Sequence, residues 1–140
     1  MIKMQSALTG HITPGTYGTI KQGGAGICLQ EISEVTLTQL AWFSDQEADF
    51  TAWLKTHLSA PLAPPGRSVQ INRKSASGWL LRPEPGKLWL LALSGPLLNP
   101  ARMAEYHGLD LTHGRCWISL SGPNSADVLR RMAALDFSNT

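Results

Sequence analysis

The stretch LDLTHGRCWISLSGPNSADVLRRMAALD, Leu109 to Asp136, reads as a strand, a hard turn and a helix, and the rest of the chain is ordered against it. From Arg115 to Ser121 the side chains alternate. Cys116, Ile118 and Leu120 fall to one face and Trp117, Ser119 and Ser121 to the other, the period of a strand with one more apolar face. Ser121-Gly122-Pro123 then ends it: glycine permits a sharp turn, and proline suits the first helical position because its missing N–H would be unpaired there anyway. A helix is therefore expected from about Pro123, with Val128, Leu129, Met132 and Leu135 in one apolar stripe and Arg130 and Arg131 outside it.

The 140 residues, 43% hydrophobic and 16% charged, suffice for one compact domain with its own core. Twelve Lys and Arg against ten Asp and Glu leave a net charge of +2, too small to imply nucleic acid or an anionic membrane as partner. The longest apolar run, residues 88–93, is far short of the ~20 residues that span a bilayer, and the first six residues contain no apolar signal core. A cytoplasmic protein is expected. Cys28 and Cys116 have no metal-ligand spacing and are expected as two reduced, buried thiols.

Residues 1–25, rich in Gly, Thr and Gln, show no helical period and read as an irregular arm. Gly24, Ala25 and Gly26 do not make a phosphate-cradling loop, since Leu29 stands where a dinucleotide fingerprint needs its third glycine. Residues 27–32 and 35–43 are apolar and β-branched, and with Ser33-Glu34 between them they read as a tight hairpin. Ser44-Asp-Gln-Glu47 fits a capping box, opening a helix that buries Phe50, Trp53, Leu54, His57 and Leu58 on one face. Prolines in residues 59–66 end it. Three strands follow at residues 67–73, 78–82 and 87–93, the last two joined by the turn Pro83-Glu-Pro-Gly86, and a short helix runs over residues 99–106. The order up to residue 108 is thus β2–α–β3–α, an α+β arrangement with a mainly antiparallel sheet, and residues 109–140 begin a second, incomplete β–α unit.

No constellation in the sequence carries catalysis. No G-x-S-x-G elbow occurs, and His57 at the edge of its stripe reads as a packed or partly exposed histidine without convergent partners. His107 and His113 with Asp110 straddle a loop and do not share a helix face, so no metal site is expected. Arg67, Arg73, Lys74, Arg82 and Lys87 with Trp79 and Trp89 could form a basic aromatic face, but they read better as solvated strand ends and sheet tryptophans.

One set of motifs points further. Asp110-Leu-Thr-His113-Gly-Arg115, followed by Ile118-Ser-Leu-Ser-Gly122-Pro123-Asn-Ser-Ala126-Asp-Val-Leu129, resembles the D-[LV]-[ST]-H…G-P-x-A-x-x-[VF]-L pattern of the glycine-cleavage T-protein superfamily. With Gly26-Ile-Cys-Leu-Gln-Glu31, the V-x-L-x-Q-L-A strand from Val35 to Ala41, Pro64-Pro-Gly-Arg67 and Trp89-Leu90, it is most similar to the gamma subunit of heterotetrameric sarcosine oxidase. At Arg82-Pro-Glu-Pro-Gly86 it departs from the G-P-D-x-W-L of that branch.

The resemblance implies the folate-binding-domain fold, with a first β2–α–β3–α subdomain over residues 26–108 and a truncated second one over residues 109–140. It implies a non-catalytic structural subunit of an enzyme that oxidatively demethylates sarcosine in one-carbon metabolism. FAD, FMN, NAD and tetrahydrofolate then belong to larger alpha and beta subunits, and this chain binds no cofactor or metal and has no catalytic residue. Asp110 and His113 take structural roles, Asp110 as a turn cap and His113 bonded to a backbone carbonyl. The alternative is a free-standing folate-binding or aminomethyltransferase-like protein of the same superfamily. Because a single strand and helix cannot close a sheet, the open edge of the Cys116 strand is expected to meet the alpha and beta subunits or a second copy in a homodimer. The expected interface residues are Trp117, Ile118, Val128, Leu129 and Met132.

Overall fold

The computed structural model describes residues 6–20 and 24–133. In chain order the elements are β1 (Gly15–Thr19), β2 (Ala25–Ile32), β3 (Thr36–Ala41), α1 (Glu47–Leu58), β4 (Arg67–Asn72), β5 (Ser77–Arg82), β6 (Lys87–Ser94), α2 (Pro100–Met103), β7 (Leu109–Asp110), β8 (Trp117–Ser121) and α3 (Ser125–Met132). The fold is α+β, with two antiparallel sheets and few helices. The chain divides into two units, residues 34–115 and a discontinuous one formed by residues up to 33 and from 116 onward. The sequence reading set its boundaries at 25/26 and 108/109.

The continuous unit is built on a five-stranded sheet in the order β4-β5-β6-β3-β7. Consecutive β4, β5 and β6 form a meander because residues 73–76 and 83–86 are too short to do anything but reverse the chain; the Arg73 N–H donates to Ala76 O at 2.8 Å. In β5 burial alternates residue by residue, burying Leu80 on the helix-covered face. There Leu40, Leu80, Leu88, Leu90 and Ile71 meet Phe50, Leu54 and Leu58 of α1 in one core. Each such fully buried side chain contributes about 1.5–3 kcal/mol. Phe50 anchors the aromatic part, stacked on Trp42 with centroids 3.9 Å apart and edge-on to Tyr106 at 4.8 Å.

The helix starts differently from the expected box at Ser44. The box lies one residue earlier in the chain, with Gln46 Oε1 accepting from the Phe43 N–H at 3.1 Å, and residues Ser44–Gln46 form a 3-10 turn before α1. The helix ends at Ser59, whose left-handed backbone (φ 52°) precedes Ala60-Pro61.

The second unit holds a three-stranded antiparallel sheet, β1-β2-β8, and α3. Part of the expected irregular arm is therefore a strand: residues Gly15–Thr19 pair with β2. The expected hairpin between residues 27–32 and 35–43 does not form. β3 has both of its edges taken, by β6 and by β7, and buries Leu37 and Leu40 completely, so no side is left for β2. β2 pairs instead with β1 and β8, and Glu34 between the two strands takes a positive φ of 47° that breaks the extended run.

Candidate functional site

The candidate site is the surface of β8 and α3, where the sequence reading places the interface residues. Strand β8 begins two residues later than the sequence suggested and pairs with β2 from Cys28↔Ser121 to Ile32↔Trp117. Its other edge has no strand partner among the described residues. The turn after it is set by close approach: Gly122 (φ +105°) lies against β2, where an added Cβ would sit 2.8 Å from Gly26 O, and the Asn124 N–H donates to the same carbonyl at 3.0 Å. That contact fixes the start of α3. The helix begins at Ser125 after a turn through Pro123, which thus lies before the helix instead of at its first position.

The two expected apolar faces fare differently. On β8, Ile118 is 48% exposed, while Trp117 is half-buried with its indole N–H enclosed and unpartnered among the described residues. On α3, Val128 and Leu129 are half-buried, but Met132 is 79% exposed, so it does not belong to a covered stripe within this chain. Leu135, the last member of that stripe, lies outside the described residues. Cys116 is exposed and Cys28 half-buried, which corrects the expectation of two buried thiols; Cys116 precedes β8, where strand alternation no longer protects its side chain.

Asp110 Oδ1 accepts from the Thr112 N–H at 2.8 Å, the expected cap. Hydrogen bonding from the Thr112 side chain and then its N–H holds the Asp110 carboxyl below its ordinary range. His113 is exposed and makes no such bond to a carbonyl among the described residues; His107 closes a 3-10 turn with φ 50° and lies edge-on to Phe43. No group of three or more His, Cys, Asp or Glu fit to hold a metal exists among the described residues. His57 is half-buried, its ring centroid 5.0 Å from that of Trp53. The Trp53 indole N–H donates to Glu105 Oε2 at 2.7 Å and Arg102 to Glu105 Oε1 at 2.8 Å; the Arg102 bond first, then that of Trp53, lowers the Glu105 pKa. Burial raises that of Tyr106 beside them.

The basic aromatic face does not assemble as five free cations. Arg82 is only 6% exposed; its Nη2 donates to Glu47 Oε2 at 2.7 Å, its Nη1 to Ala63 O at 3.0 Å, and its guanidinium lies 5.6 Å from the Trp42 ring centroid. Nothing in the sequence marks this arginine as buried except its position on the apolar phase of β5. Trp89 is a sheet residue, its indole N–H donating to Gln39 Oε1 at 3.0 Å and its ring 5.8 Å from the Arg115 guanidinium.

No family model matches the chain, and no curated protein matches it. Among solved structures it is similar in fold to a chain of the heterotetrameric sarcosine oxidase from Corynebacterium sp. U-96, in complex with pyrrole 2-carboxylate. The TM-score is 0.58 at 23% identity, over 79% of this chain and 57% of the solved one. This chain thus spans somewhat more than half the length of the chain it matches. No helix among the described residues is long and apolar enough to cross a membrane.

Proposed function

We propose that the chain is a non-catalytic gamma-type subunit of a heterotetrameric sarcosine oxidase-like flavoenzyme, with the folate-binding-domain fold. The observation that carries this is the likeness of fold, over 79% of the chain, to a chain from a heterotetrameric sarcosine oxidase. The motif resemblance from Asp110 to Leu129 agrees with it. In this reading the larger alpha and beta subunits hold FAD, FMN, NAD and tetrahydrofolate and carry out the oxidative demethylation of sarcosine in the cytoplasm. This chain packs against them through the free edge of β8 and the outer face of α3, with Trp117, Ile118, Val128, Leu129 and Met132 in the contact. A strand edge with no strand partner among the described residues, together with an exposed Met132, is a surface that gains from a protein partner.

Co-purification from the native host tests it. Tagged chain should bring down larger subunits, the eluate should show a flavin absorbance and oxidise sarcosine, and the chain purified alone should do neither. A chain that remains alone in the eluate, or that carries flavin by itself, overturns the proposal. Saturable tetrahydrofolate binding by the isolated chain in calorimetry would move the assignment to a free-standing folate protein.

A further inference from the structure

A cleft of about 430 Å3 opens within residues 34–115, beside the edge where β7 joins β3. Its volume lies in the range of small-molecule sites. Thr38 stands directly opposite Asp110 in the β3–β7 register, which brings their side chains to one face, and Thr36 follows two residues along β3 on the same face. Thr112 completes a polar wall, while Leu90 and Met103 supply apolar surface. Thr112 is already committed, its Oγ1 accepting from the Leu37 N–H at 3.1 Å and its own N–H donating to Asp110 Oδ1. Thr112 engages the Asp110 carboxylate through both its N–H and its side chain, and no hydrogen bond to the hydroxyls of Thr36 and Thr38 occurs among the described residues. No lysine, arginine or histidine lines the cleft among those residues.

We infer that this cleft binds a small alkylammonium ion, its alkyl chain against Leu90 and Met103 and its N–H donors shared between Asp110 and the β3 threonines. The lining offers one carboxylate, hydroxyl acceptors and apolar surface, and no group to neutralise an anion. An amino acid zwitterion is therefore a poor fit, because its own carboxylate would enter beside Asp110 without a countercharge. The hydrogen bonds from Thr112 that favour an ionised Asp110 keep the charge in place at neutral pH.

The full-length chain is titrated with butylammonium chloride, and separately with butan-1-ol, at constant ionic strength while the methyl signals of Leu90, Met103 and Thr38 are followed by NMR. Saturable shifts at these methyls are expected, with butylammonium binding about threefold more tightly than the alcohol, as suits a charge pair open to solvent. Asp110→Asn retains an oxygen to cap Thr112 and should abolish the preference; the exposed Asp45→Asn, outside the cleft, should leave it unchanged. Thr38→Val, near-isosteric, should weaken butylammonium binding and decides the matter if Asp110→Asn fails to fold. Shifts that never saturate, equal binding of amine and alcohol, or a preference that survives loss of the Asp110 charge would overturn the inference.

Discussion

Arg82 offers a quantitative test of how the continuous unit is held together. Its guanidinium is buried, yet the partner carboxylate of Glu47 remains 46% exposed, so the pair is neither a free surface contact nor a fully desolvated one. Surface pairs are worth up to ~1 kcal/mol, whereas breaking a fully buried pair costs ~3–5 kcal/mol. Half-exposure of Glu47 places Glu47→Gln near the lower figure, about 1 kcal/mol, since glutamine keeps an acceptor for Nη2 and loses only the charge. Arg82→Met keeps much of the volume over Trp42 but leaves Ala63 O without its donor, a loss of ~1–3 kcal/mol. The double variant should be less destabilised than the sum by about 0.5–1 kcal/mol, the coupling between the two groups. For a unit of this size 1 kcal/mol shifts Tm by about 4–8 °C, well within reach of thermal unfolding followed by tryptophan fluorescence. Additive effects, or an Arg82→Met protein as stable as the parent, would show that the guanidinium does not hold α1 to β5 as described.

Three further outcomes are expected. Leu54→Ala, at a fully buried site, should cost about 2–5 kcal/mol, whereas Met132→Ala at 79% exposure should change the stability of the isolated chain by less than ~0.5 kcal/mol; equal effects in thermal melts would contradict the burial of both. Gly122→Ala forces a Cβ onto Gly26 O at a backbone angle that side chains avoid, and should cost about 1–3 kcal/mol, read as earlier loss of the Trp117 signal in a variant otherwise lacking tryptophan; an unchanged midpoint would refute the close approach. Asp110 has a folded pKa below its unfolded one, so its contribution is present above the unfolded value and is lost as pH falls through the folded value; Asp110→Asn should flatten that acid limb of the stability–pH curve, and an identical limb in both proteins would show that the cap does not operate.

Much of the architecture is legible in the residues because short-range rules act locally. The meander of β4, β5 and β6 follows from alternation and two tight turns, and α1 follows from the spacing of Phe50, Leu54 and Leu58. Periodicity reports which face of a strand is apolar but not which strand lies beside it. That is why residues 27–32 and 35–43 read as a hairpin although they enter different sheets. β1 is hidden because its pairing with β2 depends on backbone groups, with most of its side chains exposed and no alternation to see. The buried state of Arg82 depends on Glu47, Ala63 and Trp42, contributed by separate segments, and no local pattern announces such a meeting. Of the expected interface residues, the sequence located Trp117 and Ile118 on the strand and Val128, Leu129 and Met132 on the helix, but it could not say which of them the chain itself already covers.

The pairing of Ile32 with Trp117 has a consequence for how the chain is assembled. Those two residues are neighbours across a ladder, yet everything from Glu34 to Arg115 is threaded between them. During synthesis β2 therefore leaves the ribosome long before β8 exists, and its edge must wait, open, while a complete second unit is made and folds. The same geometry makes the continuous unit removable in principle: strands so closely opposed need only a turn of a few residues to join them, so β2 and β8 amount to a hairpin into whose loop an independent unit has been inserted.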